Sequence, residues 1–385
     1  MSRLRVFFYV QHLLGVGHLY RAVRIAHGLT QAGFAVDLVT GGAPVAGLDV
    51  TKLNVIQLEP LKAGPEGFSN LVTLTGEPAA SEIKARRTAA LIEALETSRP
   101  DIVLIETFPF GRRQMRFELM PLLDAAHRQT PRPLIVSSIR DILQENRSPH
   151  RARETVELLR TYFDRVVVHG DPQLITLDAT FPLTQEIRSM VAYSGFVAPP
   201  APAPGRPSRA IADVVVSAGG GAVGRKLLEA AIGAKPATSL ARGRWLVLAG
   251  LNADPRWLKC LQEKGAPDGI AVDHSVPDLA TALAGARLSI SQAGYNTAAD
   301  VLVAGCKAVF VPFAQAGETE QTRRAALLEE HGYGIAIAEQ VLTAEALAAA
   351  VDRALSLPPP QRALDLEGVA RTASALVRLL AEQRM

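Results

Sequence analysis

The chain has 385 residues, of which 48% are hydrophobic, 21% charged and 5% aromatic. That length predicts two domains, and that balance excludes wholesale disorder. With 41 basic residues against 38 acidic ones, the net charge of +3 is too small for an electrostatic nucleic-acid binder. The scarcity of aromatics argues against a base-stacking or sugar-stacking platform. Two cysteines, Cys260 and Cys306, exclude a disulfide framework and a cysteine zinc site and suit a reducing cytoplasm.

Residues 4–10 are apolar apart from Arg5, and the run stops at Gln11-His12. This run is too short for a signal-peptide core and reads as a buried first strand. No stretch of about 18 apolar residues predicts a membrane span. A turn, His12-Leu13-Leu14-Gly15-Val16-Gly17-His18, leads to a helix over 21–32, closed by Gly33, and to a strand over 35–40. Further strands are predicted at 55–58, 101–106, 134–138 and 165–169, with helices that include 82–97 and 115–127. Short unalternating strands separated by helices predict a parallel sheet covered on both faces. Residues 59–99 carry no diagnostic motif.

Residues 198–207 read Ala-Pro-Pro-Ala-Pro-Ala-Pro-Gly-Arg-Pro. Proline at this density resists helix and sheet and makes a semi-rigid connector. The predicted domains are 1–197, a linker at 198–209, 210–365, and a final helix at 366–385 after Pro358-Pro359-Pro360. The second domain restarts the alternation, with strands at 213–217, 244–248, 270–272, 288–291 and 308–311. The reading is α/β, with two Rossmann-like βαβ domains facing a cleft, where ligands bind in such folds.

Four sites stand out. Gly17 and His18 follow the first strand, where an imidazole can act as a general base or simply pack on the loop. Ser217, Gly219, Gly220, Gly221, Gly224 and Arg225 form a strand, a glycine-rich turn and a helix start. That arrangement suits a pyrophosphate and exceeds what a plain turn needs. Gly294, Asn296, Thr297 and Asp300 open a helix after another strand. Thr297 and Asp300 also fit a capping box, so Asp300 reads equally as a cap or as a carboxylate for ribose hydroxyls. Glu320 and Gln321 either hold sugar hydroxyls or form the polar first turn of a helix. The basic residues Arg112, Arg113 and Arg116, beside Phe110 and Phe117, read as a solvated helix start or as a peripheral membrane patch.

Taken together, these pieces resemble the GT-B glycosyltransferases, in the branch of the bacterial lipid II N-acetylglucosaminyltransferase and family 28. Gly294-Tyr295-Asn296-Thr297 with Asp300 matches the spacing of the Gly-Trp-Asn-Ser…Glu core of the plant secondary-product box. Val311-Pro312-Phe313 and Glu320-Gln321 also fit. The resemblance implies a donor-phosphate loop at Gly219–Gly224 and a nucleobase contact near Val276. It also implies a ribose-binding acid at Asp300 and donor-sugar contacts at Glu320 and Gln321. His18 becomes an inverting base and Glu106 the acid that orients it. The final helix would cross back to the N-terminal domain.

Three departures accompany this. Asp300 is shorter than the usual Glu, Gln292 replaces a basic residue, and Glu106 is longer than the usual Asp. The implied activity moves a hexose, such as N-acetylglucosamine, from a uridine diphosphate sugar to a lipid-linked, small-molecule or glycan hydroxyl. It would act in the cytoplasm or at the inner membrane face. No Asp-x-Asp occurs in the chain, so no cofactor and no metal are expected. The alternatives are a nucleotide-sugar epimerase or hydrolase, or a non-catalytic nucleotide-sugar-binding subunit of a membrane glycosyltransferase.

Overall fold

The computed structural model describes residues 3–13, 15–45, 47–64, 67–144, 148–201, 212–219, 223–315 and 317–384. The chain divides into two compact units, Met1–Val197 with Glu367–Met385, and Ala198–Leu366. Most of the proline-rich segment, residues 202–211, lies outside the described residues.

The first unit begins with β1 (Arg5–Val10), α1 (Gly17–Gln31), β2 (Ala35–Thr40) and β3 (Asn54–Gln57), followed by β4 (Lys62–Gly64), β5 (Gly67–Val72) and α2 (Ser81–Ser98). It continues through β6 (Ile102–Glu106), α3 (Arg116–Arg128), β7 (Leu134–Arg140), α4 (Pro149–Tyr162), β8 (Arg165–His169) and β9 (Val191–Tyr193). Seven strands form one parallel sheet in the order β3-β2-β1-β6-β7-β8-β9. Phe7, Tyr9, Val103 and Ile105 pack with Leu91, Leu95, Leu119 and Leu122. The alternate residues Phe8 and Leu104 are equally buried, as strands covered on both faces require. Burial of each such side chain stabilises by about 1.5–3 kcal/mol.

Helix α1 buries Leu19, Ala22, Val23, Ile25, Ala26 and Leu29, spaced three and four apart. It starts at Gly17 rather than at residue 21, which puts His18 in its first turn. The pair β4–β5 is an antiparallel ribbon apart from the main sheet. It lies in the stretch where the sequence shows no motif. A buried ion pair braces the loops above the sheet. Arg87 donates to both carboxylate oxygens of Glu118 (2.8 and 2.7 Å), to Gln11 Oε1 (3.0 Å) and to the Gly41 carbonyl (3.1 Å).

The second unit contains β10 (Val214–Ser217), α5 (Arg225–Ala234), β11 (Trp245–Leu248), α6 (Pro255–Gly265), β12 (Ile270–Asp273) and α7 (Leu279–Ala284). It continues with β13 (Leu288–Ser291), α8 (Tyr295–Ala304), β14 (Lys307–Phe310), α9 (Glu320–Glu330), β15 (Ile335–Ala336) and α10 (Ala344–Ser356). Its parallel sheet runs β12-β11-β10-β13-β14-β15. Both sheets therefore run outward from their first strand in opposite directions, the doubly wound arrangement. Val214, Val216, Val247, Ile290 and Val309 pack with Leu227 and Leu228 of α5 and Leu347 and Val351 of α10.

The last helix, α11 (Gly368–Arg384), belongs to the first unit and packs on α1. It starts two residues later than the sequence predicts, because Glu367 is held in an extended bridge to Val197. Among the described residues, no helix is long and apolar enough to cross a membrane.

Candidate active site

In a doubly wound sheet the loops diverge where the strand order reverses, and a crevice opens above the carboxyl ends. In the first unit that point lies between β1 and β6. Glu106 is the last residue of β6, and His18 lies in the first turn of the helix that follows β1. The structure brings them together: His18 Nδ1 is 3.1 Å from Glu106 Oε1. Glu106 is 1% exposed, whereas His18 keeps 17% of its side chain open.

Arg21, one turn after His18, forms a buried ion pair with the same Glu106 oxygen. The Thr107 hydroxyl is 3.1 Å from His18 Nδ1. Burial favours a protonated Glu106. The Arg21 charge, with the contacts to His18, outweighs it and holds the carboxyl well below its usual range. Burial and the Arg112 charge, with a smaller push from Arg21, bring the His18 imidazole down to about 3, against the bond to Glu106.

These charges settle the protons. An ionised carboxylate only accepts, so the neutral imidazole donates through Nδ1 to Glu106. Arg21 Nη2 also lies 3.2 Å from His18 Nδ1, but its shorter contact is with the Glu106 carboxylate, which takes its hydrogen. No described residue bonds Nε2, which keeps its lone pair. This is the arrangement of a general base.

In the second unit the strand order reverses between β10 and β13. Their last residues, Ser217 and Ser291, are register partners. Ser291 Oγ is buried with no hydrogen-bond partner among the described residues, and Ser217 Oγ accepts from Gly219 N at 3.3 Å. Gly219 and Gly224 have φ of +67° and +96°, a region that side-chain-bearing residues rarely adopt. Gln292 lies against both: a Cβ on Gly224 would sit 3.0 Å from its amide nitrogen. Gly220 and Gly221 lie outside the described residues. Helices α5 and α8 have glycine N-caps, Gly224 and Gly294, which supply no side-chain cap, and a helix N-terminus of this kind carries positive potential.

Other expected site residues have contacts of their own. The Arg225 guanidinium stacks 4.9 Å from the Trp257 ring centre. Val276 is half-buried in the loop after the edge strand β12. Asn296 and Thr297 lie in the first turn of α8. Because Gly294 is the N-cap, Thr297 sits inside the helix, and the capping box with Asp300 does not form. Asp300 is buried on that helix. Glu320 pairs with the buried Arg324 at 2.7 Å, and Gln321 accepts from Phe313 N at 3.2 Å. Both thus carry part of the polar first turn of α9. Arg113 and Arg116 both pair with Glu154, and Arg112 donates to the Gln11 carbonyl at 2.7 Å, so these three do not form an open basic patch. Among the described residues, no three His, Cys, Asp or Glu side chains group to hold a metal ion.

Sequence reasoning missed Arg21, Thr107, Ser138 and His169. Ser138 donates to Glu106 Oε2 at 2.7 Å and lies 2.9 Å from His169 Nε2. One signal was available, since Ser138 and His169 lie near the carboxyl ends of consecutive parallel strands.

Residues 215–373 match the glycosyltransferase family 28 C-terminal domain. Curated relatives are named UDP-N-acetylglucosamine–N-acetylmuramyl-(pentapeptide) pyrophosphoryl-undecaprenol N-acetylglucosamine transferase. That of Cupriavidus necator is 37% identical over 110 residues, 29% of each chain. The first relatives of this kind are thus matched over less than a third of their length. That of Burkholderia thailandensis is 27% identical over 86% of this chain and 83% of its own. The crystal structure of Acinetobacter baumannii MurG superposes with a TM-score of 0.58 at 17% identity, covering 99% of this chain and 100% of that one.

Proposed function

We propose that this chain, a GT-B glycosyltransferase by its fold and its family 28 C-terminal unit, transfers N-acetylglucosamine from UDP-N-acetylglucosamine to a hydroxyl of a lipid-linked acceptor. The observation that carries the reading is the His18–Glu106 pair, with Nδ1 committed to the carboxylate and Nε2 open. His18 Nε2 takes the proton of the acceptor hydroxyl as its oxygen bonds to the anomeric carbon. The bond from that carbon to the diphosphate oxygen breaks, and UDP leaves with the electron pair. A single displacement inverts the anomeric carbon.

The second unit would hold the donor. The turn Ser217–Gly224 and the starts of α5 and α8 take the diphosphate, Asp300 the ribose, and the loop at Val276 the base. Fixed N–H groups and helix ends meet the charge that develops on the leaving group. With no Asp-x-Asp in the chain, we propose that this positive potential replaces a divalent ion. A lipid-linked acceptor would place the enzyme at the cytoplasmic face of the membrane.

The test is release of UDP from UDP-N-acetylglucosamine, with and without a lipid-linked muramyl acceptor, in EDTA. Acceptor-dependent release, an inverted product and at least a 100-fold lower kcat in His18→Ala are expected. Release that ignores the acceptor would make it a donor hydrolase. Loss of activity in EDTA, restored by Mn²⁺, would overturn metal independence. Absence of any thermal shift with UDP or its sugars would sink the donor site.

A further inference from the structure

A hydrogen-bonded chain continues from Glu106 away from His18. The Ser138 hydroxyl lies 2.7 Å from Glu106 Oε2 and 2.9 Å from His169 Nε2, and His169 Nδ1 lies 2.8 Å from the Ser194 hydroxyl. All three added residues are buried. Parallel register builds this row. Ser138 on β7 is the direct partner of Glu106 on β6, and His169 ends β8, the next strand.

Counting hydrogens leaves one arrangement. Glu106 is ionised and can only accept, so the single hydroxyl hydrogen of Ser138 goes to Oε2. Ser138 Oγ then offers His169 only lone pairs, so His169 Nε2 carries the ring hydrogen. Burial and the Arg21 charge push His169 down to about 3, so its ring is neutral, and Nδ1, at 2.8 Å, takes the Ser194 hydrogen in place of the Gly195 carbonyl at 3.1 Å. Every donor in the row points toward Glu106. With Arg21, Thr107 and His18 at Oε1, Ser138 is the contact that fixes Oε2.

We infer that Ser138 and His169 are positioning residues for His18. They hold the Glu106 carboxylate in the rotamer whose Oε1 accepts from His18 Nδ1, which leaves Nε2 as the basic nitrogen. This rests on the reading of His18 as the base, and it extends that reading to two residues that touch neither donor nor acceptor. A row that merely satisfied its own buried polar atoms would leave the His18 tautomer unchanged when cut.

The experiment is two-bond ¹H–¹⁵N correlation of the imidazoles in wild type, Ser138→Ala, His169→Phe and His169→Gln, with kcat, KM and thermal melting on the same samples. The wild type should show His18 with its hydrogen on Nδ1. Ser138→Ala and His169→Phe should populate the Nε2–H form and lower kcat about 10-fold, with the donor KM unchanged. His169→Gln keeps an N–H toward Ser138 and should restore tautomer and rate. If His169→Phe fails to fold, Ser138→Ala and His169→Gln decide the matter. Folded variants that keep the wild-type tautomer and kcat would overturn the inference, as would a wild-type His18 with its hydrogen on Nε2. A fully active His18→Ala would refute the base reading instead, and the tautomer spectra would still judge the positioning.

Discussion

At His18, burial and the Arg112 charge outweigh the carboxylate beside it. Glu106 would raise its basicity, but Arg21 neutralises that carboxylate, and Arg112 adds a second positive charge. Glu106 therefore acts chiefly on the direction of the imidazole. A base of this kind stays unprotonated far into acid, so the acid limb of kcat/KM is expected well below the ordinary histidine value of 6.5. A pH–rate profile of the free enzyme reads this directly; a limb at or above 6.5 would contradict it. Glu106→Gln keeps the shape and removes the charge. It leaves Arg21 buried without its anion, a loss of about 3–5 kcal/mol for breaking a buried pair. It also lets the amide N–H face Nδ1, which reverses the tautomer. We expect a kcat loss of 100-fold or more, together with a lower melting temperature. A Gln variant with wild-type kcat would show that the carboxylate has no part in orientation.

At the scale of elements, two glycines test how turn and packing geometry hold the sites. Gly224 combines a φ of +96° with a Cβ position 2.8 Å from Ala218 Cβ. Gly224→Ala is expected to cost about 1–3 kcal/mol from backbone strain and to weaken UDP binding, read by calorimetry, because α5 would shift. Gly28 lies where a Cβ would meet Val369 of α11 at 2.0 Å. Gly28→Ala should lower the melting temperature and loosen α11 on α1, seen as faster amide exchange in α11, with UDP affinity unchanged. Most elements were legible in the sequence because their strands contain unbroken apolar runs, as in 102–105 and 214–216. The β4–β5 ribbon was not, since Lys62-Ala63-Gly64 carries no alternation. The first helix was read four residues short because Gly17 and His18 resemble a loop. His18 was visible as a polar residue at the mouth of the first βα unit, and Glu106 only through the family resemblance. Ser138, His169 and Arg21 were not, because their roles arise from register between strands and from one turn of α1. The capping box at Thr297 misled for a related reason: the motif fits, but the helix had already begun at Gly294.

At the scale of the whole chain, the two units should respond differently to acid. His18, Glu106 and His169 all lie in the first unit, and all three are held below their ordinary pKa. Each histidine sits at about 3 when folded, against about 6.5 when unfolded. Between those values the unfolded chain binds more protons than the folded one, so stability falls as pH falls. Glu106 acts in the same sense below its ordinary value of 4.5. The contribution of these groups is thus complete above pH 6.5 and is lost progressively on acidification. Each histidine removes roughly 1 kcal/mol per pH unit across that window. A chain of two units need not unfold in one step, so the measurement must be local. Amide exchange followed from pH 7 to 4.5, corrected for its intrinsic pH dependence, should show β6, β7 and β8 losing protection while β10 and β13 hold theirs. His169→Gln removes one titrating ring and should flatten the fall in the first unit alone. Equal loss of protection in both sheets would show that acid acts through the general charge of the chain rather than through the buried row beside His18.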